Sequence, residues 1–456
     1  MDKKRSLFGT DGIRGTANFF PMQVDVVMKV GQALGYLLRQ QPMVGKHRRL
    51  VVIGKDTRLS GYMVEQALSS GLNSMGVDVQ LVGPLPTPGI GFLVQNMRAD
   101  AGVVISASHN PYLDNGIKIF GHDGFKICEE MEARIERLVL DTDLSDRLAK
   151  SEAIGRSKRI EDASGRYIVH VKNAFPLSYQ LDGIRIVLDC ANGSAYKVAP
   201  AILEELGAEV IVQGNTPNGM NINDEVGALY PEKVSEAVRR FRADVGISLD
   251  GDADRVIMVD EEGEVVNGDH ILAICALDLK ELGRLPQNTI VATDMSNIGL
   301  DHVLARHGIR VVRTKVGDKY VVEEMKKNGY ALGGEQSGHL IFLEHATTGD
   351  GLVAALKLLA VMQGRKAKLS TLSRIMEDVP QVLVNLRVKE SCQLEEIPGY
   401  PELIAELTST LAGQGRIFVR FSGTEPLLRI LVEGPDPKLI AAMAERIADH
   451  VQRQLN

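Results

Sequence analysis

Ser108 is the residue in this sequence best placed to do chemistry. It lies in Ile105-Ser106-Ala107-Ser108-His109-Asn110-Pro111, directly after the apolar run Ala101-Gly102-Val103-Val104-Ile105. Such a run reads as a buried strand, and Pro111 keeps a helix from forming at the end of the loop. A hydroxyl at the mouth of a buried strand is fixed in position yet reachable. That suits a group that is phosphorylated and then hands the phosphoryl on. The same residue types also make ordinary turns, so the loop takes its meaning from its companions.

Three further stretches carry side chains that fit the rest of such a site. Asp250-Gly251-Asp252-Ala253-Asp254-Arg255 places carboxylates at alternate positions. That much negative charge at a strand end needs a balancing cation, and hard oxygen ligands suit Mg²⁺. An EF-hand would use Glu261 as its twelfth residue, but Arg255 stands where that loop requires glycine. A solvated acidic turn is the plainer alternative. Gly333-Gly334-Glu335-Gln336-Ser337-Gly338-His339 offers groups that can hydrogen-bond sugar hydroxyls, or it is a glycine-rich turn. Arg420-Phe421-Ser422-Gly423-Thr424-Glu425-Pro426, with Arg429 beyond it, can cradle a phosphate through hydroxyls, opened backbone N–H groups and a guanidinium fork. A polar hairpin loop has the same composition. Lys118 reads as an acid/base group, a phosphate partner or a solvated lysine. Phe8-Gly9-Thr10-Asp11-Gly12-Ile13-Arg14-Gly15 reads as a turn, or as a loop lying against a ligand with Arg14 aimed at an anion.

The elements that must position these loops recur. Strand 49–53, a loop and a helix to about Ser74 lead to a strand around Val79; the pattern returns from Ile184 to Val210 and from Thr289 to Val311. Strand–helix–strand units of this kind build mostly parallel, helix-covered sheets. The repeat reaches the motifs themselves. Residues 98–106, RADAGVVIS, resemble 242–250, RADVGISLD, and Tyr330–Gly334 leads into the third motif. Ligands bind beyond the carboxyl ends of strands in such sheets, so related domains facing one cleft would pool their motifs. After about residue 375 the pattern changes to an alternating strand over 382–388, a helix with Leu403 and Leu407, two strands and a final helix. This reads as a small α+β domain.

Composition narrows the function class. The 456 residues exceed a single core. A net charge of −7 with no basic block argues against nucleic acid as a partner. Cys128, Cys190, Cys275 and Cys392 form no CxxC pair, as in a reduced cytosolic enzyme. Met1-Asp2-Lys3-Lys4-Arg5 lacks the apolar segment of a signal peptide, and no apolar run is long enough for a bilayer, so no membrane partner is expected.

Together, Ser106–Pro111, Asp250–Arg255, Gly334–His339 and Arg420–Pro426 resemble the four signature loops of the α-D-phosphohexomutases, in the family's order and over essentially the whole chain. Within that family, Gly9–Gly15 and the Gln336 and Ser422-Gly423 variants look like the bacterial branch acting on glucosamine phosphates. The expected architecture is three related α/β domains, with mixed, mostly parallel sheets around a central cleft, plus a smaller C-terminal α+β domain. The divisions expected are 1–155 with the phosphoserine loop, 156–257 with the metal loop, 258–372 with the sugar loop and 373–456 with the phosphate loop.

The resemblance implies roles. Ser108 would be the phosphoserine, and its phosphate with Asp250, Asp252 and Asp254 would hold one Mg²⁺. Glu335 and Ser337 would hold ring hydroxyls, while Arg420, Ser422, Gly423, Thr424 and Arg429 would bind phosphate. Arg14, His109, Lys118, Arg255 and His339 would surround the reacting phosphoryl, with Lys118 and His339 as acid/base candidates. It also implies sugar phosphates as partners, glucosamine 1,6-bisphosphate or a similar hexose bisphosphate as activator, a homodimer, and a cytoplasmic enzyme supplying UDP-N-acetylglucosamine and cell-wall precursors. The rivals are the same chemistry on glucose or mannose phosphates, a non-catalytic sugar-phosphate sensor, and a phosphatase using Asp250 as nucleophile.

Overall fold

The structure, a computed structural model, describes residues 7–9, 11–42, 48–388, 392–421 and 427–455. Three of its four sheets share one plan. In the first, strand Leu50–Lys55 pairs in parallel with Asp78–Pro84 on one side and Ala101–Ile105 on the other, and Ala101–Ile105 pairs antiparallel with Asp114–Gly121. In the second, Arg185–Asp189 lies between Glu209–Gln213 and Val245–Leu249, with Val256–Val259 antiparallel beyond. In the third, Thr289–Thr293 lies between Arg310–Thr314 and Leu332–Gly334, with Leu340–Phe342 antiparallel beyond. Each motif loop therefore leaves the carboxyl end of the equivalent strand: Ile105 into Ser106, Leu249 into Asp250, Gly334 into Glu335.

Those three strands are buried along their whole length, which is why they read as mostly apolar runs. Alternation still sorts their side chains. Val52 and Val104 face a core continuous with Leu188, Leu249 and Ile290, whereas Val51, Ile53, Val103 and Ile105 face helices Val24–Gln40 and Ser60–Ser74. One apolar body thus runs through all three sheets and fixes their motif loops relative to one another.

The fourth sheet, Gln381–Arg387, Leu427–Glu433 and Arg416–Phe421, is wholly antiparallel. It packs its own core, including Leu428, Ile430 and Val432, against Ile440 and Ile447 of helix Pro437–Leu455. Polar contacts hold it to the third sheet. The Asn297 amide donates to the Val379 carbonyl (2.9 Å) and accepts from its N–H (3.0 Å), and Arg416 donates to the Ser296 carbonyl at 2.6 Å.

Two elements cross the expected divisions. Strand Ser157–Arg159 pairs with Asp78–Pro84 and so closes the edge of the first sheet, beyond residue 155. Strand Val256–Val259 and its partner Val265–Val266 complete the second sheet, so a division after 257 cuts a strand. Both follow from edge pairing, which leaves little mark in local composition. Among the described residues, no helix is long and apolar enough to cross a membrane.

Candidate active site

The serine loop is held by a buried guanidinium. Ser108 has φ of +52°, a left-handed conformation uncommon for a residue with a Cβ. Its N–H donates to Ser106 Oγ at 2.9 Å, and its carbonyl accepts from Arg58 Nη2 and Asn223 Nδ2, both at 2.9 Å. Arg58 is fully buried and also donates to the carbonyls of Asn110 (2.8 Å), Asp114 (3.1 Å) and Pro111. Asp56 balances it at 2.8 Å and accepts from Ser106 Oγ at 2.6 Å. With the backbone over-determined in this way, Ser108 Oγ points at Asp250 and donates to it at 2.7 Å.

Asp250, Asp252 and Asp254 are all buried, and one carboxylate oxygen from each lies within 4.8 Å of the others. Burial, then Asp254 and Asp252, holds the Asp250 carboxyl well above the usual range. Burial also opposes ionisation of Asp254, but Lys118 and His339 outweigh it and hold that carboxyl well below the usual range. Oδ1 of Asp252 and Oδ1 of Asp254 are buried without a hydrogen-bond partner. Two orphaned carboxylate oxygens beside a third carboxyl are a donor set that a hard divalent cation satisfies. Gly251 permits the approach of this loop to the serine loop: a Cβ there would lie 2.7 Å from the Ser108 carbonyl oxygen and 2.8 Å from Asn223 Nδ2.

Basic groups surround the triad. Lys118, on strand Asp114–Gly121, reaches Asp252 (2.9 Å), Asp254 (3.2 Å) and Asp11 (3.2 Å). Burial alone would lower its pKa, but Asp11, Asp252 and Asp254 raise it well above the usual lysine value. It is an ammonium held among carboxylates. Arg255 Nη1 lies 3.0 Å from His109 Nδ1. A guanidinium only donates, so Nδ1 accepts and the imidazole proton sits on Nε2. Burial, then Arg255 and Arg14, lowers the His109 pKa to about 4. Ser108 Oγ is 3.4 Å from the same Nδ1, whose lone pair Arg255 occupies. The structure thus places His109 at the centre with its Nδ1 against Arg255. Arg14 pairs with Asp11 at 2.5 Å and reaches Asn110 Oδ1 at 3.4 Å.

From the third domain, His339 lies 3.7 Å from Asp254 and 3.5 Å from Asp318, and Gly349 N–H donates to its Nε2 at 3.1 Å. Burial works against protonation of His339, but the Asp254, Asp318 and Glu335 carboxylates raise its pKa above the usual value. Glu335 accepts from Gly317 N–H (3.2 Å) and from Ser337 Oγ (3.1 Å), which presents a carboxylate and a hydroxyl side by side. In the fourth domain, Arg420 and Arg429 stand directly opposite each other across a hairpin. Burial, then Arg429, lowers the Arg420 pKa, while Asp294 and Glu335 act the other way. Like charges face to face are unfavourable, and an anion relieves them. Ser422, Gly423 and Thr424 lie outside the described residues.

Comparison with known proteins agrees with this geometry. Phosphoglucomutase/phosphomannomutase alpha/beta/alpha domains I, II and III and the family's C-terminal domain match residues 5–146, 165–263, 267–381 and 383–450. A phosphoglucosamine mutase of Bdellovibrio bacteriovorus is 65% identical over the full length of both chains. Another, of Myxococcus xanthus, is 56% identical over 99% of this chain and 98% of its own. The chain belongs to the phosphoglucosamine mutase family. The fold of this phosphohexomutase recurs in a phosphoglucomutase/phosphomannomutase family protein of Burkholderia thailandensis, with TM-score 0.79, 24% identity and coverage of 99% and 97% of the two chains. It recurs too in an Aspergillus fumigatus N-acetylphosphoglucosamine mutase solved with GlcNAc-6P and magnesium, with TM-score 0.66, 18% identity and coverage of 99% and 96%.

In this phosphoglucosamine mutase relative the structure gathers Arg14, Ser108, Lys118, the three aspartates, Arg255 and His339 at one centre, with Glu335 beside Arg255 and Arg420. Sequence reasoning gave no role to Asp11, Asp56, Arg58, Lys126, Asn223 or Asp318. Asp56 and Arg58 carried a usable signal, charges at the mouth of a buried strand. Asn223, Lys126 and Asp318 carried none, because each makes a contact to another domain that no local window of sequence records.

Proposed function

We propose that the chain interconverts glucosamine 6-phosphate and glucosamine 1-phosphate through phosphoserine at Ser108. In the forward direction the Ser108 Oγ–P bond breaks as a bond from phosphorus to sugar O1 forms and the O1 proton ends on Ser108 Oγ, giving glucosamine 1,6-bisphosphate. The intermediate turns end for end, its O6–P bond breaks as the phosphoryl returns to Ser108 Oγ and the serine proton ends on O6, and glucosamine 1-phosphate leaves. Any bisphosphate of this kind would also charge an unphosphorylated enzyme. The observation that carries the reading is Ser108 Oγ, held in a strained loop, 2.7 Å from Asp250 of a triad with orphaned oxygens.

The chain's own groups support each part. Asp250, Asp252 and Asp254 would hold Mg²⁺, which when bound withdraws charge from a transferring phosphoryl. Lys118 and Arg255 supply fixed positive charge beside the reacting atoms, the main requirement of phosphoryl transfer. His339, flanked by the Asp254 and Asp318 carboxylates, is the remaining acid/base group at the centre. Glu335 and Ser337 bind ring hydroxyls in either orientation, and Arg420 with Arg429 holds the phosphate that is not reacting. A separate core lets the fourth domain close over the cleft and exclude water. Four unpaired cysteines fit a reducing cytoplasm.

Intact-protein mass and peptide mapping test this. After incubation with glucosamine 1,6-bisphosphate and Mg²⁺, one phosphoryl group is expected on Ser108, discharged by glucosamine 6-phosphate with formation of the bisphosphate. Ser108→Ala should abolish both. Phosphate that only glucose or mannose phosphates discharge would move the substrate; phosphate on Asp250 would overturn the mechanism.

A further inference from the structure

Around the reaction centre, six side chains from three domains close a ring in which carboxylates and basic groups alternate. Asp254 is 3.2 Å from Lys118, Lys118 is 3.2 Å from Asp11, and Asp11 is 2.5 Å from Lys126. Lys126 is 2.5 Å from Asp318, Asp318 is 3.5 Å from His339, and His339 is 3.7 Å from Asp254. Asp11, Lys118 and Lys126 belong to the first domain, Asp254 to the second, Asp318 and His339 to the third. Four of the six are the centre already described or its direct contacts. Lys126 is not, and Asp318 reaches the centre only through His339; neither touches the triad or Ser108.

From this ring we infer that Lys126 and Asp318 are positioning residues for the phosphoryl-transfer centre, Lys126 by sharing Asp11 with Lys118 and Asp318 by sharing Lys126 with His339. Asp11 pairs with Lys126 at its Oδ1 and with Lys118 and Arg14 at its Oδ2. Without Lys126, Asp11 keeps only Lys118 and Arg14 and draws the Lys118 ammonium off Asp252 and Asp254. Asp318, left without Lys126, is neutralised only through His339. Both basic groups at the centre would shift toward the ring's outer side. The segment that carries Lys126 is otherwise well anchored on the third domain. Lys319 pairs with Glu129 at 2.5 Å and Thr347 Oγ1 donates to the Gly124 carbonyl at 2.5 Å, so loss of Lys126 leaves the docking of these domains in place. The substrate-holding groups Glu335, Ser337, Arg420 and Arg429 are outside the ring, so the defect falls on the chemical step and not on sugar binding.

This inference rests on the reading of the centre given above, and turnover of glucosamine 6-phosphate by the unaltered enzyme tests that reading separately. The experiment compares Lys126→Met and Lys126→Arg by steady-state kinetics and by single-turnover discharge of phosphoserine. Lys126→Met is expected to lower kcat and the discharge rate roughly 10- to 100-fold, the scale set by a displacement of about 1 Å in a reacting group, with KM little changed. Lys126→Arg, which can still bridge Asp11 and Asp318, is expected to restore most of the rate. Unchanged kcat in Lys126→Met, or a change in KM alone, overturns the inference. If Lys126→Met does not fold, Lys126→Met with Asp318→Asn removes one of the two stranded carboxylates; it should fold and remain slow, because Asp11 still lacks its partner. A folded double variant with normal kcat, or a second failure to fold, makes Lys126 a stability residue and refutes the positioning role.

Discussion

Replacing Arg58 by Met separates the scaffold of the serine loop from its chemistry. The guanidinium is fully buried, pairs with Asp56 at 2.8 Å, and donates to the carbonyls of Ser108, Asn110 and Asp114 at 2.9, 2.8 and 3.1 Å. Removing one member of a buried pair costs about 3–5 kcal/mol, because the other charge stays buried. Asp56 keeps the Ser106 hydroxyl and the residue 58 N–H, which offsets part of that cost. A loss of about 3–4 kcal/mol is therefore expected, a large share of the roughly 5–15 kcal/mol typical of a folded protein. The catalytic consequence is separate. Ser108 is held at φ of +52° by these bonds, a conformation that costs about 1–3 kcal/mol. With the Arg58 bond to its carbonyl gone, that strain relaxes, and kcat should fall roughly 5- to 150-fold. Urea unfolding followed by tryptophan-free probes, such as far-ultraviolet circular dichroism, reads the first effect; phosphoserine discharge at saturating substrate reads the second. Adding Asp56→Asn should recover part of the stability but little of kcat, because the loop carbonyls still lack their donor. A change below about 1 kcal/mol with unchanged kcat would refute the claim that this guanidinium holds the loop.

Two further outcomes follow from the buried carboxyls. Burial pushes Asp269 up to about 7, against the Asn297 N–H that donates to it at 2.8 Å. A raised carboxyl means the folded state binds the proton that the unfolded state releases, so its contribution is complete below about pH 4 and is lost as pH rises toward 7. Asp269→Asn keeps an acceptor for that N–H, and its melting temperature relative to the parent should rise between pH 5 and pH 8; a constant difference would sink the assignment. At the triad, burial with Asp254 and Asp252 holds the Asp250 carboxyl well above the usual range. Mg²⁺ binding should therefore displace a proton, giving a calorimetric enthalpy that depends on the ionisation enthalpy of the buffer and an affinity that weakens as pH falls. Chelation should stop turnover without releasing phosphate from Ser108.

Much of this molecule is written locally in its sequence. The runs Ala101–Ile105 and Val245–Leu249 are apolar because both faces of each strand are covered, and that property survives in any window that contains them. Ser108, the Asp250–Asp254 triad and the Glu335 loop follow such strands within a few residues, so chain connectivity alone places them at strand ends. The repeat of strand, helix and strand likewise announced three related sheets before any contact was known. Tertiary structure decided everything that depends on partners distant in the chain. It set Arg255 against the His109 Nδ1. It put the buried Arg58 under the serine loop and closed Lys126 and Asp318 into the charge ring. It also assigned strands 157–159 and 256–259 to their sheets. The physical reason is common to these cases. A strand's burial is a property of its own side chains, whereas the protonation, charge and orientation of a polar group are set by neighbours that only the packing of separate domains supplies.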